Sequence, residues 1–363
     1  MATIKDVARQ AGVSIATVSR VLNEPNKVRE RTRLRVEQAM RAFSFQRNVF
    51  ATALATNRSE TIGLVVPRLT DVFFVPMINQ IGNAVDARHS YLIVTCSDYA
   101  AQDVERCVRF LQQRRCDALI VFPGAMTDTQ VAALLAENPN VVVIHRFVPQ
   151  YASRCVLVDN RLGTRMATRY LIDCGHRDIA VITGPSYNQE NAERLATFLE
   201  TMTEAGLPVD PRLVAQGDFL LESGEQAMSA LLATGRRFSA VFCFSDRMAV
   251  GALSYLRSAG VSVPEDISLM GFDDMDYASL VFPRLTTIHQ DIDELGRIAA
   301  EIALSLAGHE VPAPAKTLLP PRLVVRESVL PIGTRGGARV SDGREAGARW
   351  IAPASMPRVE GSE

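Results

Sequence analysis

The chain has 363 residues, of which 47% are hydrophobic and 22% charged, with a formal net charge of −1. This composition supports one large or two medium cores and excludes disorder over most of the length. No apolar run approaches the roughly 20 residues that span a bilayer, and no basic-then-apolar segment opens the sequence, so a cytoplasmic protein without a membrane partner is expected.

The first elements in chain order are two short helices around a turn. Thr3 and Asp6 have the spacing of a capping box, which starts a helix at Ile4, and Ile4, Val7, Ala8 and Ala11 share one face of it. Gly12 supplies the left-handed residue that ends such a helix. Ser14 suits the N-cap of a second helix in which Val18, Val21 and Leu22 form the buried stripe, leaving Ile15, Ala16, Thr17, Ser19 and Arg20 outward. Small side chains, hydroxyls and an arginine on one exposed face fit the floor of a DNA groove. A generic helical hairpin with a solvated outer face has the same pattern. The charge distribution favours the groove: residues 1–58 hold 11 Lys and Arg against 4 acids, a net of +7, so residues 59–363 carry −8. A cationic headpiece on an anionic body is the electrostatic footprint of a nucleic-acid reader. In a third helix Val36, Ala39, Met40 and Phe43 repeat at core spacing.

From Thr61 the pattern changes to short β-rich runs alternating with helical stretches. Strands are expected at Ile62–Pro67, Tyr91–Ser97, Ala118–Phe122, Val141–His145, Val156–Asp159, Ile179–Gly184, Ala240–Ser245, Ile267–Phe272 and Thr286–His289. Helices fit between them at about 75–88, 103–114, 127–137, 162–174, 190–205, 222–233, 247–259 and 292–307. Such alternation predicts parallel sheets wrapped by helices, and the number of units predicts two doubly wound lobes, with ligands outside the C-terminal ends of the strands. The six cysteines lack any C-x-x-C or paired-histidine spacing and read as buried free thiols, with no metal or cofactor expected. Residues 334–363, rich in Gly, Arg, Ser, Glu and Pro, read as a disordered tail without a leucine heptad. No G-x-S-x-G, Walker A, H-E-x-x-H or G-x-G-x-x-G motif is present, and Asp273-Asp274, as strand neighbours, would point to opposite faces rather than share a site.

The opening run T-I-K-D-V-A-R-x-A-G-V-S-x-A-T-V-S-R-V-L-N resembles the DNA-binding headpiece of the lactose/galactose repressor family. Further matching segments are Thr61-Ile62-Gly63-Leu64-Val65, Asp71-Val72-Phe73-Phe74, Gly175-His176-Arg177-Asp178, Ser245-Asp246-Arg247-Met248-Ala249, Gly271-Phe272-Asp273-Asp274 and Pro283-Arg284-Leu285-Thr286-Thr287. The resemblance covers about 1–333, and stretches such as Arg154-Cys155-Val156-Leu157-Val158-Asp159 resemble the galactose-repressor and isorepressor branch. It implies an α/β protein with an all-α helix-turn-helix headpiece (1–46), a hinge helix and linker (47–60) and a two-lobed core like that of periplasmic sugar-binding proteins. The N-terminal lobe would be 61–160 plus about 290–320, and the C-terminal lobe 161–289 plus about 321–333.

The family pattern implies base-edge contacts from Ile15, Ala16 and Arg20, with Arg20 as the main guanine reader, since an Ile-Ala pair packs on thymine methyls but forms no bidentate bonds. It places phosphates at Ser14, Thr17, Ser19 and Asn23. Asn48 to Ala55 matches the hinge helix, whose Leu54 would wedge into the minor groove. Two departures stand beside these: Phe45-Gln46-Arg47-Asn48 replaces Tyr-x-Pro-Asn, and Arg29 replaces the capping Ser after Val28. For the effector the pattern implies Arg194, Asp273, Ser245, Phe219 and Phe73, with Arg146 and Gln290 near the lobe crossing. Arg194 and Asp273 could also form a structural ion pair. Ser245 in place of the commoner Asn, and Arg194-Leu195-Ala196 in place of Arg-x-x-Gly, mean that the ligand need not be galactose.

The resulting expectation is a homodimeric repressor of a carbohydrate utilisation operon that binds operator DNA, with affinity controlled by a sugar or sugar derivative between the lobes. A cytoplasmic solute-binding receptor shares every feature after Thr61. A sugar-processing enzyme has no motif in its favour.

Overall fold

The computed structural model describes residues 3–23, 27–43, 58–312 and 314–334. The chain divides between Glu60 and Thr61 into two compact units.

The first unit contains helices α1 (Ile4–Ala11), α2 (Ile15–Asn23) and α3 (Glu30–Ala42). The Asp6 carboxylate accepts from the Thr3 amide at 3.0 Å and the Thr3 hydroxyl at 2.7 Å, fixing the start of α1. Gly12 ends it with φ 61°, and Arg35 of α3 donates to the carbonyls of Ala11 and Gly12, tying the third helix to the turn. Val7, Ala8, Ala11, Val18, Val21, Val36 and Ala39 form one small core. Phe43, expected in that core, is 41% exposed because it lies just past the last turn of α3 as its C-cap. Arg29 occupies the N-cap of α3 with no side-chain cap bond, so the lost hydroxyl is not replaced there.

The second unit has two main sheets. Strands β1 (Thr61–Val66), β2 (Tyr91–Cys96), β3 (Ala118–Val121), β4 (Val141–Ile144), β5 (Cys155–Val158) and β11 (Leu318–Leu319) form a six-stranded parallel sheet in the order β11-β5-β4-β3-β1-β2. Its inner strands are apolar apart from Thr61 because both faces are covered: Ile62, Leu64 and Val66 enter one core, and Val65 enters the other. Strands β6 (Ile179–Thr183), β7 (Val214–Gln216), β8 (Ala240–Cys243) and β9 (Ser268–Met270) form a parallel sheet in the order β7-β6-β8-β9 around a third core. The antiparallel pair β10 (Thr287–His289) and β12 (Arg322–Val324) lies where the chain passes between the lobes.

The chain crosses three times. After β5 it enters the second lobe through the helix Asn160–Asp173. After β10 it returns in the helix Ile292–Leu306, whose Leu295, Ile298, Ala299 and Ala303 fill the core of the six-stranded sheet. Leu318–Leu319 adds a strand to that sheet beside β5, and the segment then runs back until the Ser328 carbonyl accepts from Leu269 of β9.

Strands β7, β11 and β12 have two or three residues of mixed burial, too few for a period to show, and sequence patterning did not anticipate them. Three of the cysteines depart from expectation. Cys107, Cys155 and Cys243 are buried, but Cys96 is exposed at the end of an edge strand, and Cys116 and Cys174 are partly exposed; all six are free thiols. Asn48, Leu54, most of the expected hinge and residues 335–363 lie outside the described residues.

Candidate DNA interface and effector cleft

The outward face of α2 is built by capping and packing. The Ser14 hydroxyl accepts from the Thr17 amide at 3.1 Å and lies 2.9 Å from the Thr17 hydroxyl, while Val18 and Val21 point into the core. This rotation leaves Ser14, Ile15, Ala16 and Arg20 exposed, with Thr17 and Ser19 half-buried at the edge and Asn23 closing the helix. Ser14 and Thr17 are thus helix-capping groups in addition to any contact outside the protein.

Between the lobes lies a cleft enclosing about 540 Å³ of empty space, open solvent included. The first lobe contributes Asp71, Phe73, Phe74, Tyr99 and Phe122, and the second contributes Asn188, Glu190, Arg194, Phe219, Phe244, Ser245, Arg247, Asp273 and Tyr277. Most of these sit just past strand ends or in the first turns of helices, as the doubly wound topology dictates.

Asp71 organises the first wall: its carboxylate accepts from the Phe73 amide at 3.2 Å and from the Tyr99 hydroxyl at 2.9 Å. Arg247 faces it from the other lobe at 3.9 Å. Burial, the Asp71 charge and this hydrogen bond push the Tyr99 phenol far above its ordinary value, so it is a donor at neutral pH. On the opposite wall Phe219, at φ 69°, lies against Gly184, where any Cβ would overlap its ring.

Arg194 is buried and heavily held. Its Nε donates to Asn160 Oδ1 at 2.8 Å, one terminal nitrogen donates to the Phe244 carbonyl at 2.5 Å, and the guanidinium lies 3.8 Å from the Phe272 ring centroid. Asp273 stands 3.9 Å from Arg194 and accepts from Gln290 Nε2 at 2.7 Å. Burial lifts its carboxyl, against the pull of Arg194, to about 7. The neighbouring Asp246 carboxyl is raised well above its ordinary value by burial and by Asp273, while accepting from the Thr287 hydroxyl at 2.5 Å and the Met275 amide at 2.8 Å. Glu190 shows the opposite balance: burial raises it, but His145 and Arg194 outweigh that and hold it at about 2.

Of the effector residues expected from sequence, Phe73, Arg194, Phe219, Ser245 and Asp273 converge on this cleft. Ser245 also caps the helix Asp246–Ser258, accepting from the Met248 amide at 3.2 Å. Gln290 does not line the cleft; it backs Asp273 from just past the end of β10. Arg146 is not a lining residue either. It is 5% exposed and donates to the carbonyls of Met126 and Gly124 at 3.1 and 3.3 Å and to Asp128 at 2.8 Å, which makes it a clamp inside the first lobe. Asp273 and Asp274 do point apart, but through backbone at φ 120° and 60° rather than through strand alternation, and Asp274 pairs with His289 at 3.0 Å and Arg326 at 2.6 Å. Sequence reasoning missed Asp71, Tyr99, Phe122, Glu190, Arg247 and Tyr277. One signal was available: Glu190 and Arg194 are four apart and so share a helix face. Among the described residues no cluster of His, Cys, Asp and Glu could hold a metal, and no helix is long and apolar enough to cross a membrane.

Comparison with known proteins agrees with both units. Residues 3–48 match the bacterial regulatory proteins of the lacI family, and residues 168–329 match the periplasmic binding protein-like domain. The HTH-type transcriptional regulator GalR of Salmonella typhimurium is 41% identical over 330 residues, covering 91% of this chain and 96% of the relative. The transcriptional repressor PurR of Vibrio parahaemolyticus is 33% identical over 331 residues, covering 91% and 99%. The lac repressor dimer bound to operator and the anti-inducer ONPF is 30% identical with a TM-score of 0.81, covering 91% of this chain and 99% of that one. The transcriptional regulator CelR in complex with cellobiose is 32% identical with a TM-score of 0.67, covering 90% and 100%. The chain belongs to the lacI family of bacterial regulatory proteins: it is a DNA-binding transcriptional regulator with a helix-turn-helix headpiece and a two-lobed, periplasmic-binding-protein-like core.

Proposed function

We propose that this regulator is a homodimeric repressor of a carbohydrate utilisation operon, and that a neutral sugar or sugar derivative bound between the lobes controls its affinity for operator DNA. The observation that carries the effector assignment is the meeting of Arg194 and Asp273 at 3.9 Å in a cleft whose walls include Phe73 and Phe219. Charged groups at strand ends bond hydroxyls, and aromatic rings cover the apolar faces of a pyranose. The complex of the CelR relative with cellobiose and the operator-bound dimer of the lac repressor support the ligand class and the DNA partner.

In this scheme Arg20 reads guanine, Ile15 and Ala16 pack on base edges, and Ser14, Thr17, Ser19 and Asn23 hold phosphates. Asn48 and Leu54 belong to the hinge that enters the minor groove. Phe73, Arg194, Phe219, Ser245 and Asp273 hold the effector. Residues 1–46 act as the headpiece, 61–160 with 290–320 as one lobe and 161–289 with 321–333 as the other. The protein works beside the chromosome in the cytoplasm and binds its effector without turning it over.

Isothermal calorimetry with D-galactose and cellobiose, paired with operator titrations at fixed sugar, tests this. A sugar that binds the core must change operator affinity, and operator must change sugar affinity by the same factor. A sugar that binds tightly while leaving operator affinity unchanged would establish a plain solute receptor instead.

A further inference from the structure

His145 follows β4 in the first lobe, and Glu190 opens the helix Gln189–Glu204 in the second. Their side chains meet across the lobes, His145 Nδ1 to Glu190 Oε1 at 2.9 Å, with only 1% and 14% of the two side chains exposed. The same carboxylate oxygen accepts from Asn160 Nδ2 at 3.3 Å, and Asn160 Oδ1 accepts from Arg194 Nε at 2.8 Å. An unbroken relay therefore runs from the first lobe to the effector arginine. His145 is held in the left-handed region at φ 59° and packs against Phe73 and Phe122 of the cleft wall, with ring centroids at 5.7 and 5.8 Å. Backbone strain of this kind persists only where the surroundings over-determine it and clusters at functional positions. Its Nε2 is buried and has no hydrogen-bond partner among the described residues.

We infer that His145 and Glu190 are positioning residues that set the pose of Arg194 through Asn160, and that the proton on His145 Nε2 adjusts this pose. A carboxylate can only accept, so Nδ1 carries a hydrogen and donates to Glu190 whichever charge the ring has. Gain of a second proton at Nε2 turns a neutral hydrogen bond into a charge-assisted one, draws Glu190 toward the first lobe and weakens its share in the bond to Asn160. Asn160 then turns its Oδ1 dipole differently on Arg194 Nε. Histidine is the side chain whose charge ordinarily changes between pH 5 and 8. The charged groups around it are Glu190, Glu193 and Arg194 on one helix and Asp273 beyond Arg194; neighbouring Arg146 points away to Asp128.

The inference rests on Arg194 being an effector ligand, as proposed above, but its test uses the ligand-free protein, so failure of the relay and failure of the effector assignment are read separately. In full-length protein labelled with 13C-histidine and 15N-arginine, the Arg194 Nε–H resonance, assigned with Arg194→Lys, should move with the same midpoint as the His145 ring between pH 5.5 and 8. Asp273→Asn should keep that co-titration, which separates it from the Asp273 carboxyl. In that Asp273→Asn background, His145→Asn and Glu190→Gln should each lose most of the shift at Arg194. An Arg194 resonance in the wild-type protein that does not follow His145 would overturn the inference, as would an unchanged profile when His145→Asn is added to folded Asp273→Asn protein.

Discussion

Arg194 and Asp273 face each other at 3.9 Å on the floor of the cleft, yet each makes its shorter hydrogen bonds elsewhere, Arg194 to Asn160 and the Phe244 carbonyl and Asp273 from Gln290. The two groups form a long ion pair whose members are each fixed mainly by other partners.

Asp273 makes stability depend on pH. Its carboxyl is raised to about 7, so between the ordinary carboxyl range and that value the folded protein holds a proton that the unfolded chain has released. Its contribution is full below about pH 4 and is lost as pH rises through about 7. Asp273→Asn keeps an oxygen for Gln290 and removes the titration. The core of this variant should melt roughly 5–10 °C above wild type at pH 8.5, with the gap shrinking as pH falls toward 5, read by calorimetry.

Arg146→Met tests the reassignment of that residue. The buried carbonyls of Met126 and Gly124 would lose their donor, at a cost of about 2 kcal/mol, while the exposed Asp128 carboxylate would turn to water. A lower melting temperature with unchanged sugar affinity is the expected pair of results. Loss of sugar binding in a fully stable protein would return Arg146 to the effector site.

Gly251 lies where the helices Asp246–Ser258 and Leu221–Ala233 touch backbone to backbone: a Cβ there would stand 2.0 Å from the Leu221 carbonyl oxygen. Gly251→Ala must push the helices apart and should destabilise the second lobe by about 1–3 kcal/mol in chemical denaturation.

Gly12→Ala should act on the headpiece alone. The left-handed conformation at φ 61° costs an alanine about 1 kcal/mol, and the new methyl meets the Arg35 guanidinium. Operator affinity should fall, while the melting of the core, followed by its own transition, should not move.

Arg20→Ala should weaken binding to operator by about 1–3 kcal/mol and leave weak binding to random DNA in place, measured by fluorescence anisotropy at fixed salt. Equal losses on both DNAs would mean that Arg20 holds phosphate rather than base.

Much of this protein was legible before folding because the informative signals are local. The cap at Thr3 and Asp6, the turn at Gly12 and the outward face of α2 depend on residues within one or two turns of each other, and the apolar strands announce sheets covered on both sides. The sequence also placed Arg194, Asp273, Phe73 and Phe219 on a list, through their motifs. It set Arg146 and Gln290 apart, near the lobe crossing, but could not show that Arg146 turns to carbonyls of its own lobe, since those partners lie about 20 residues away in the chain.

By itself, then, the amino-acid sequence determined the headpiece, the alternation of strands and helices, and the sign of the charge on each part. Only the tertiary structure decided that His145 would reach Glu190, 45 residues away, that Asp273 would turn toward Arg194 through φ 120° while Asp274 turned to His289, and that Gln290 would stand behind the site. Periodicity carries information about which face of an element is buried, whereas the meeting of side chains from two lobes depends on chain crossings and loop dihedrals that no local pattern encodes.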